Sequence, residues 1–431
     1  MKRQAFVAFC AALGALVAVD SAHAVLKTVV IQGDPSPNGG AAYRRMKVPA
    51  ASDAAGERIA FLSPTDGGGR CIFRVDPAGG PGTAVACQRE PSPDGRIFGK
   101  LQDPAINASG TPAFASSTTF GNDGVYRGVP TTVVALTNDP VGLVFIDNPT
   151  FASISDAGDV VFVAQLTGGA LGDAGVFRCA GGDGNCSPNT VPPGTGTLTT
   201  LARVGDAIPD RVGREICSLL AAGTSSYGVA FTATTKMDCT DNLEVPATGI
   251  FRRAFAGAIV TVALVGEPSG VGPTTWVAFR GTPAIANNGN IGFQASLAGT
   301  PSSALFMCDQ ALCPAASPVD AVQVGEDDGA GNAFRSFSPP SVSSAGDLAF
   351  NARVGGGVDG SSNGVYIWRS ATDTTPAVAM KNDSVPGIAG AIFTNLLQGP
   401  PSMSSGGKVA FKSKIKRPTA PRNRVGIFIE E

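Results

Sequence analysis

Ser155-Asp156-Ala157-Gly158-Asp159-Val160-Val161-Phe162-Val163-Ala164 carries the pattern on which the reading of the fold rests. Polar residues that bond their own backbone open a tight turn, and a glycine able to take positive φ closes it. The apolar residues that follow are adjacent rather than alternating, which predicts a strand covered on both faces. The same turn-then-strand signature ends at Phe61, Phe114, Phe162, Phe231, Phe293, Phe350 and Phe411. Spacings of 53, 48, 69, 62, 57 and 61 residues indicate one supersecondary unit copied with loop insertions. In five copies the glycine stands four residues before the phenylalanine. The copy at Ser225-Ser226-Tyr227-Gly228 lacks it, and the first copy has one extra residue between Gly56 and Phe61.

Two more elements recur with it. One has the form Gly-Val-Phe/Tyr, as in Gly124-Val125-Tyr126, Gly175-Val176-Phe177, Gly249-Ile250-Phe251 and Gly426-Ile427-Phe428. The other is an apolar strand ending in an acid: Asp34, Glu90, Asp139, Asp206, Glu267, Glu326 and Asp383. With a short apolar element before each turn, such as Pro104-Ala105-Ile106, every unit has four strands. The order is informative. The chain begins with a fourth-strand element (Thr28 to Asp34) and ends with a third-strand element (Gly426 to Ile429). The first strand can therefore complete the last sheet, whereas a linear solenoid would need caps. The expectation is an all-β, seven-bladed β-propeller of four-stranded blades, closed by the N-terminal strand and spanning residues 25–431 as one domain.

Residues 1–24 read as a secretory signal: Lys2 and Arg3, an apolar run from Ala5 to Val19, and an Ala22-His23-Ala24 cleavage site. Eight cysteines remain beyond Cys10, in close pairs: Cys71/Cys87, Cys179/Cys186, Cys217/Cys239 and Cys308/Cys313. In an oxidising compartment these predict four local disulfides, and the absence of any CxxC argues against zinc. The C-terminus, Gly426 to Glu431, has no hydrophobic tail, so a protein that is secreted or periplasmic, without a membrane anchor, is expected. With 32 Lys+Arg against 34 Asp+Glu there is no nucleic-acid footprint. Lys412 to Arg424 is a local basic exception; with Pro418 and Pro421 it reads as a solvated loop, contact with an acidic surface polymer being the alternative.

His23 is the only histidine and leaves with the signal. That removes Ser-His-Asp, Cys-His and His-ligated metal chemistry from the mature chain. The seven strand-end acids read as structural turn caps, because a residue used once in chemistry has no reason to recur in every unit. Gly325-Glu326-Asp327-Asp328-Gly329-Ala330-Gly331-Asn332 offers the hard oxygens calcium takes but lacks the alternating acidic spacing. Asp238, Asp241 and Glu244 are a similar cluster. Both read as exposed acidic loops, and no cofactor is expected. Trp276 and Trp368 are candidates for stacking on sugars, with packing the alternative.

Asn107-Ala108-Ser109-Gly110-Thr111-Pro112-Ala113-Phe114 resembles the repeat of a family of secreted bacterial proteins named for tandem NxxGxxAF repeats. Looser copies extend the resemblance over most of the chain. It implies export and repetition; the variable surface-anchoring segment common in that family has no counterpart here, and no catalytic residue is implied. The functional expectation is a monomeric, non-catalytic binding or scaffold module for an extracellular protein or glycan. The alternative is a carbohydrate-active hydrolase or lyase using Asp/Glu or Tyr/Arg near the axis, which needs two facing carboxylates if it is a hydrolase.

Overall fold

A computed structural model describes residues 25–37, 42–51, 58–66, 68–76, 82–119, 123–168, 173–190, 193–241, 243–311, 313, 317–357, 360–418 and 423–430. The expected signal segment, the Gly56 turn and Arg422 lie outside the described residues. The described chain forms seven antiparallel sheets. The first blade shows the plan, with strands Ala50–Ala51, Ile59–Pro64, Arg70–Val75 and Thr83–Cys87 running from its first strand to its fourth. The N-terminal strand, Leu26–Ile31, pairs antiparallel with the last strand, Arg424–Glu430, with Lys27 opposite Ile429 and Ile31 opposite Gly426. The protein is thus a seven-bladed β-propeller whose last sheet is completed by its first strand.

Each repeat phenylalanine lies directly opposite the aromatic of the third strand in its blade. Phe61 faces Phe73, Phe114 faces Tyr126, Phe162 faces Phe177 and Phe231 faces Phe251. Phe293 faces Phe306, Phe350 faces Tyr366 and Phe411 faces Phe428. Ring centroids in these pairs are 5.5 to 5.9 Å apart, and such cross-strand aromatic contacts add to area burial. The glycine of the Gly-x-Phe motif makes room for the ring. A Cβ on Gly175 would sit 2.4 Å from Cζ of Phe177, and one on Gly249 would sit 2.6 Å from Cζ of Phe251.

The fourth strand of every blade carries a β-bulge at the same register, beside the third-strand aromatic. The extra residues are Val29, Val85, Val134, Leu201, Val262, Ala321 and Val378. A bulge increases local twist, so the repeat sets the twist at each blade's outer edge as well as its core. Both faces of the second strand are covered, as adjacent apolar residues require. Phe61 packs in the core shared with the seventh blade, and its neighbour Leu62 packs in the core shared with the second. Seven such interblade cores make the ring.

Two local expectations need revision. Lys412, Lys414 and Lys416 are not in a loop: they alternate along the second strand of the last blade, Val409–Lys416, because Phe411, Ser413 and Ile415 bury the other face. The departure at Gly228 is a turn one residue shorter, in which Ser225 N–H donates to Gly228 O at 3.0 Å. Gly228 is required for backbone approach, since a Cβ there would lie 2.1 Å from Arg253 O.

Candidate functional site

The two ends of the blades differ in kind. At one end sit the turns that link each fourth strand to the next blade. There the residue before each acid has positive φ: Gly33, Arg89, Asn138, Gly205, Gly266, Gly325 and Asn382. The acid's own carbonyl then accepts from the segment that enters the next blade, as Ile146 N–H to Asp139 O at 2.9 Å and Phe393 N–H to Asp383 O at 3.0 Å. The carboxylates cap the same turns. Ile31 N–H donates to Asp34 Oδ2 at 2.8 Å, Leu136 N–H to Asp139 Oδ2 at 2.7 Å and Arg203 N–H to Asp206 Oδ2 at 2.8 Å. Gln323 N–H donates to Glu326 Oε2 at 2.9 Å and Met380 N–H to Asp383 Oδ2 at 2.7 Å. Glu267 instead receives Arg211 at 2.9 Å, and Glu90 keeps only the backbone part of the motif among the described bonds. Burial raises the Asp139 carboxyl, against hydrogen bonds from Leu136, Ser187 and Asn189. Burial, and then Asp373 and Asp320, raise Glu326.

The cysteines join as Cys71–Cys87, Cys179–Cys186, Cys217–Cys239 and Cys308–Cys313. The acidic loops are closed on themselves. Asp327 accepts from Gly329 N–H and Gly331 N–H, and Asp328 from Ala330 N–H, Asn332 N–H and the Tyr366 hydroxyl. Asp238 accepts from Thr240, and Glu244 from Met237 N–H. Among the described residues no group of three or more His, Cys, Asp or Glu is arranged to hold a metal ion. Both tryptophans are buried. Trp276 packs on Phe279, Phe293 and Phe306, and Trp368 donates to Asp373 Oδ1 at 3.0 Å on the wall of a groove of about 710 Å³ between the fifth and sixth blades.

The axis holds a cavity of about 460 Å³ lined by the second to seventh blades. Its walls are mostly small or apolar, with Ala222, Gly223, Ala284, Val342 and Met403 beside the uncharged Gln102, Ser153, Thr224, Thr282 and Ser341, and among the described residues its one carboxylate is Asp103. None of the seven strand-end acids lines it. At the Asn/Ser-Gly turns a smaller space of about 110 Å³ continues the axis. Asp156 spans this mouth: its carboxylate accepts from Ala108 N–H at 2.6 Å, from the Asn287 amide and from the Ser405 hydroxyl at 3.4 Å. Asn287 Oδ1 in turn accepts from Ser226 N–H at 3.1 Å. One carboxylate of the third blade thereby ties the second, fifth and seventh.

Large apolar side chains are exposed from the third blade to the start of the fifth, and one of them, Phe151, lines the axial cavity. Leu143, Phe145, Phe151, Leu220, Met237 and Leu243 are among them, and Leu143 is 97% exposed.

Sequence reasoning missed the Asp156 bridge and a set of arginine ties between blades. Arg74, Arg127 and Arg252, each just after a third-strand aromatic, donate to the turn glycine of the next blade: Gly110 O at 3.2 Å, Gly158 O at 2.8 Å and Gly289 O at 3.3 Å. Arg127 also donates to Gly184 O, and Arg252 to Cys313 O at 2.9 Å, both carbonyls in disulfide-bounded loops. Arg178 breaks the series. The fourth blade's short turn offers no matching glycine, so Arg178 pairs with Asp159 at 2.8 Å and lies 4.0 Å from the centroid of Phe255. An arginine after the aromatic in four consecutive units was the available signal.

Comparison with solved structures agrees on the fold. The β-propeller domain of the Trilobed protease from Pyrococcus furiosus, described as having an open velcro topology, is similar with TM-score 0.50 and 8% identity, over 90% of this chain and 95% of that one. Here, by contrast, the two ends of the chain are paired. The Dos1 propeller (TM-score 0.41, 11% identity, 94% and 95% covered) and a polysaccharide lyase, PL25 ulvan lyase (TM-score 0.41, 8% identity, 94% and 94% covered), are more distant. No curated protein matches the sequence. A family model matches residues 140–431, and the chain belongs to that family, a family of unknown function (DUF7453).

Proposed function

We propose that this member of the DUF7453 family is an exported, monomeric binding or scaffold module that engages an extracellular protein or glycan with the face carrying the acid turns. The observation that supports it most is the chemistry of the axis. The cavity has mostly small or apolar walls and, among the described residues, a single carboxylate, and its lining residue Phe151 belongs to a group of exposed apolar side chains on the third and fourth blades. Exposed apolar surface of this kind marks interaction sites on soluble domains. A retaining or inverting glycosidase needs two carboxylates across the bond it breaks, and Asp103 has no such partner among the lining residues. The four disulfides fit an oxidising, extracytoplasmic setting. Among the described residues no helix is long and apolar enough to cross a membrane.

The test is capture by the exported chain, disulfides intact, from a glycan array and a secreted-protein fraction, beside a screen for polysaccharide cleavage. The reading expects a retained ligand that Phe151→Ser with Leu220→Ser weakens. Polysaccharide cleavage lost in Asp103→Asn would replace it with the hydrolase or lyase alternative.

A further inference from the structure

One seam between blades is unlike the others. In the first six blades the residue after the repeat phenylalanine faces the next blade and is uncharged: Leu62, Ala115, Val163, Thr232, Gln294 and Asn351. Two of these polar side chains are satisfied across the seam, Gln294 donating to Phe337 O at 3.2 Å and Asn351 to Gly399 O. In the last blade the position is Lys412, and two residues on along the same face is Lys414. The apolar core of this seam includes Ala410 and stops there.

Beyond it opens a cleft of about 570 Å³, where Lys412 and Lys414 meet Arg45, Lys47 and Arg70 of the first blade. No acid lines it. Among the described residues none of these five cations forms an ion pair, although eight other ion pairs are present. Lys412 is half-buried, and burial, then Lys47 and Lys414, hold its ammonium below the ordinary lysine range against the pull of Asp103. Like charges gathered in a concave, partly desolvated place cost stability and gain it back when an anion enters.

We propose that this cleft between the last and first blades binds the anionic groups of an acidic polysaccharide, a chain bearing carboxylates or sulfates. This deepens the binding-module reading and rests on it. The ligand class follows from the charge distribution. The protein as a whole carries a formal charge of −2, so this acid-free cleft stands out against an overall acidic chain, unlike the broad excess of positive charge of a nucleic-acid binder. Lysines and arginines together suit repeated carboxylate or sulfate groups, to which each supplies charge-assisted hydrogen bonds.

The test uses the exported chain with polygalacturonate, dextran sulfate and neutral dextran of matched length. Affinity electrophoresis at low and high salt reads binding, and thermal denaturation without polymer reads folding. The polymer that supplies the preferred anion is retained, neutral dextran is not, and Lys412→Gln with Lys414→Gln weakens retention about tenfold or more. Lys381→Gln on the sixth blade leaves it unchanged. Lys412→Met weakens retention, by less than the double variant, yet melts higher than the parent, because an unpaired cation has left a partly buried site. Lack of binding to either polyanion, or equal binding by the double variant, overturns the proposal. So does a lower melting temperature for Lys412→Met, which would make Lys412 a structural residue. A neutral glycan or a protein captured equally by parent and double variant would sink this inference while leaving the binding-module reading in place.

Discussion

The seam from the fourth blade to the fifth and the seam from the last blade to the first both set a cation against the neighbouring blade, with opposite accounting. Arg252 is 5% exposed, and its guanidinium meets the carbonyls of Gly289, Gln310 and Cys313. The Cys308–Cys313 disulfide holds the last two of those oxygens in a short loop. Lys412 also points across a seam, but among the described bonds its ammonium meets no carbonyl or carboxylate. A buried cation whose donors are all received by the fold works as a tie. One whose donors the fold does not receive, in a partly desolvated place, costs stability and is left available to an anionic ligand.

The largest effect that can break this contrast is on the tie. Arg252→Met leaves the carbonyls of Gly289 and Cys313 without that donor and should cost about 3 kcal/mol. The urea midpoint should fall with an unchanged m-value; a neutral result would mean that the carbonyls find other donors and that the seam is held by packing alone. Next comes the loop that presents those oxygens. Cys308→Ser with Cys313→Ser should cost about 2 kcal/mol by loop entropy. Combined with Arg252→Met the loss should fall short of the sum, since both changes disable one contact. Full additivity would separate the disulfide from the tie.

On the other seam the sign reverses. Lys412→Met should raise stability by about 1 kcal/mol, read as a higher urea midpoint. The smallest effect is a pH dependence. With its folded-state pKa depressed, Lys412 keeps its proton less readily in the folded chain than in the unfolded one. The penalty is complete below the folded value and fades as pH rises through it toward the ordinary lysine value. Stability should therefore climb at this site as pH rises toward the ordinary lysine value. The slope should vanish in Lys412→Met. A parent slope that persists in the variant would assign it to other groups.

The propeller was legible because its evidence is local and repeated. The glycine that closes the turn at Gly158, the Gly175 that makes way for Phe177 and the acid that caps the turn at Asp139 each act within a few residues of themselves, so they leave marks at fixed spacing. The close cysteine pairs were legible for the same reason, Cys71 and Cys87 being opposite each other on neighbouring strands. The bulges were not, because an extra Val among valines and alanines changes no pattern visible along the strand. The basic segment was misread as a loop because its prolines were weighed over the alternation of Phe411, Ser413 and Ile415.

The sequence alone determined the number of blades, their four-strand plan and the closure of the ring, because phase along a chain is preserved however the loops vary. Tertiary structure alone decided what stands at the axis and in the seams. Asp156 meets Ala108, Asn287 and Ser405 across sequence separations of 48, 131 and 249 residues. Lys412 meets Lys47 only because a ring brings the last blade beside the first. Contacts of that length depend on how the units are arranged around the axis, and nothing periodic in the chain records them.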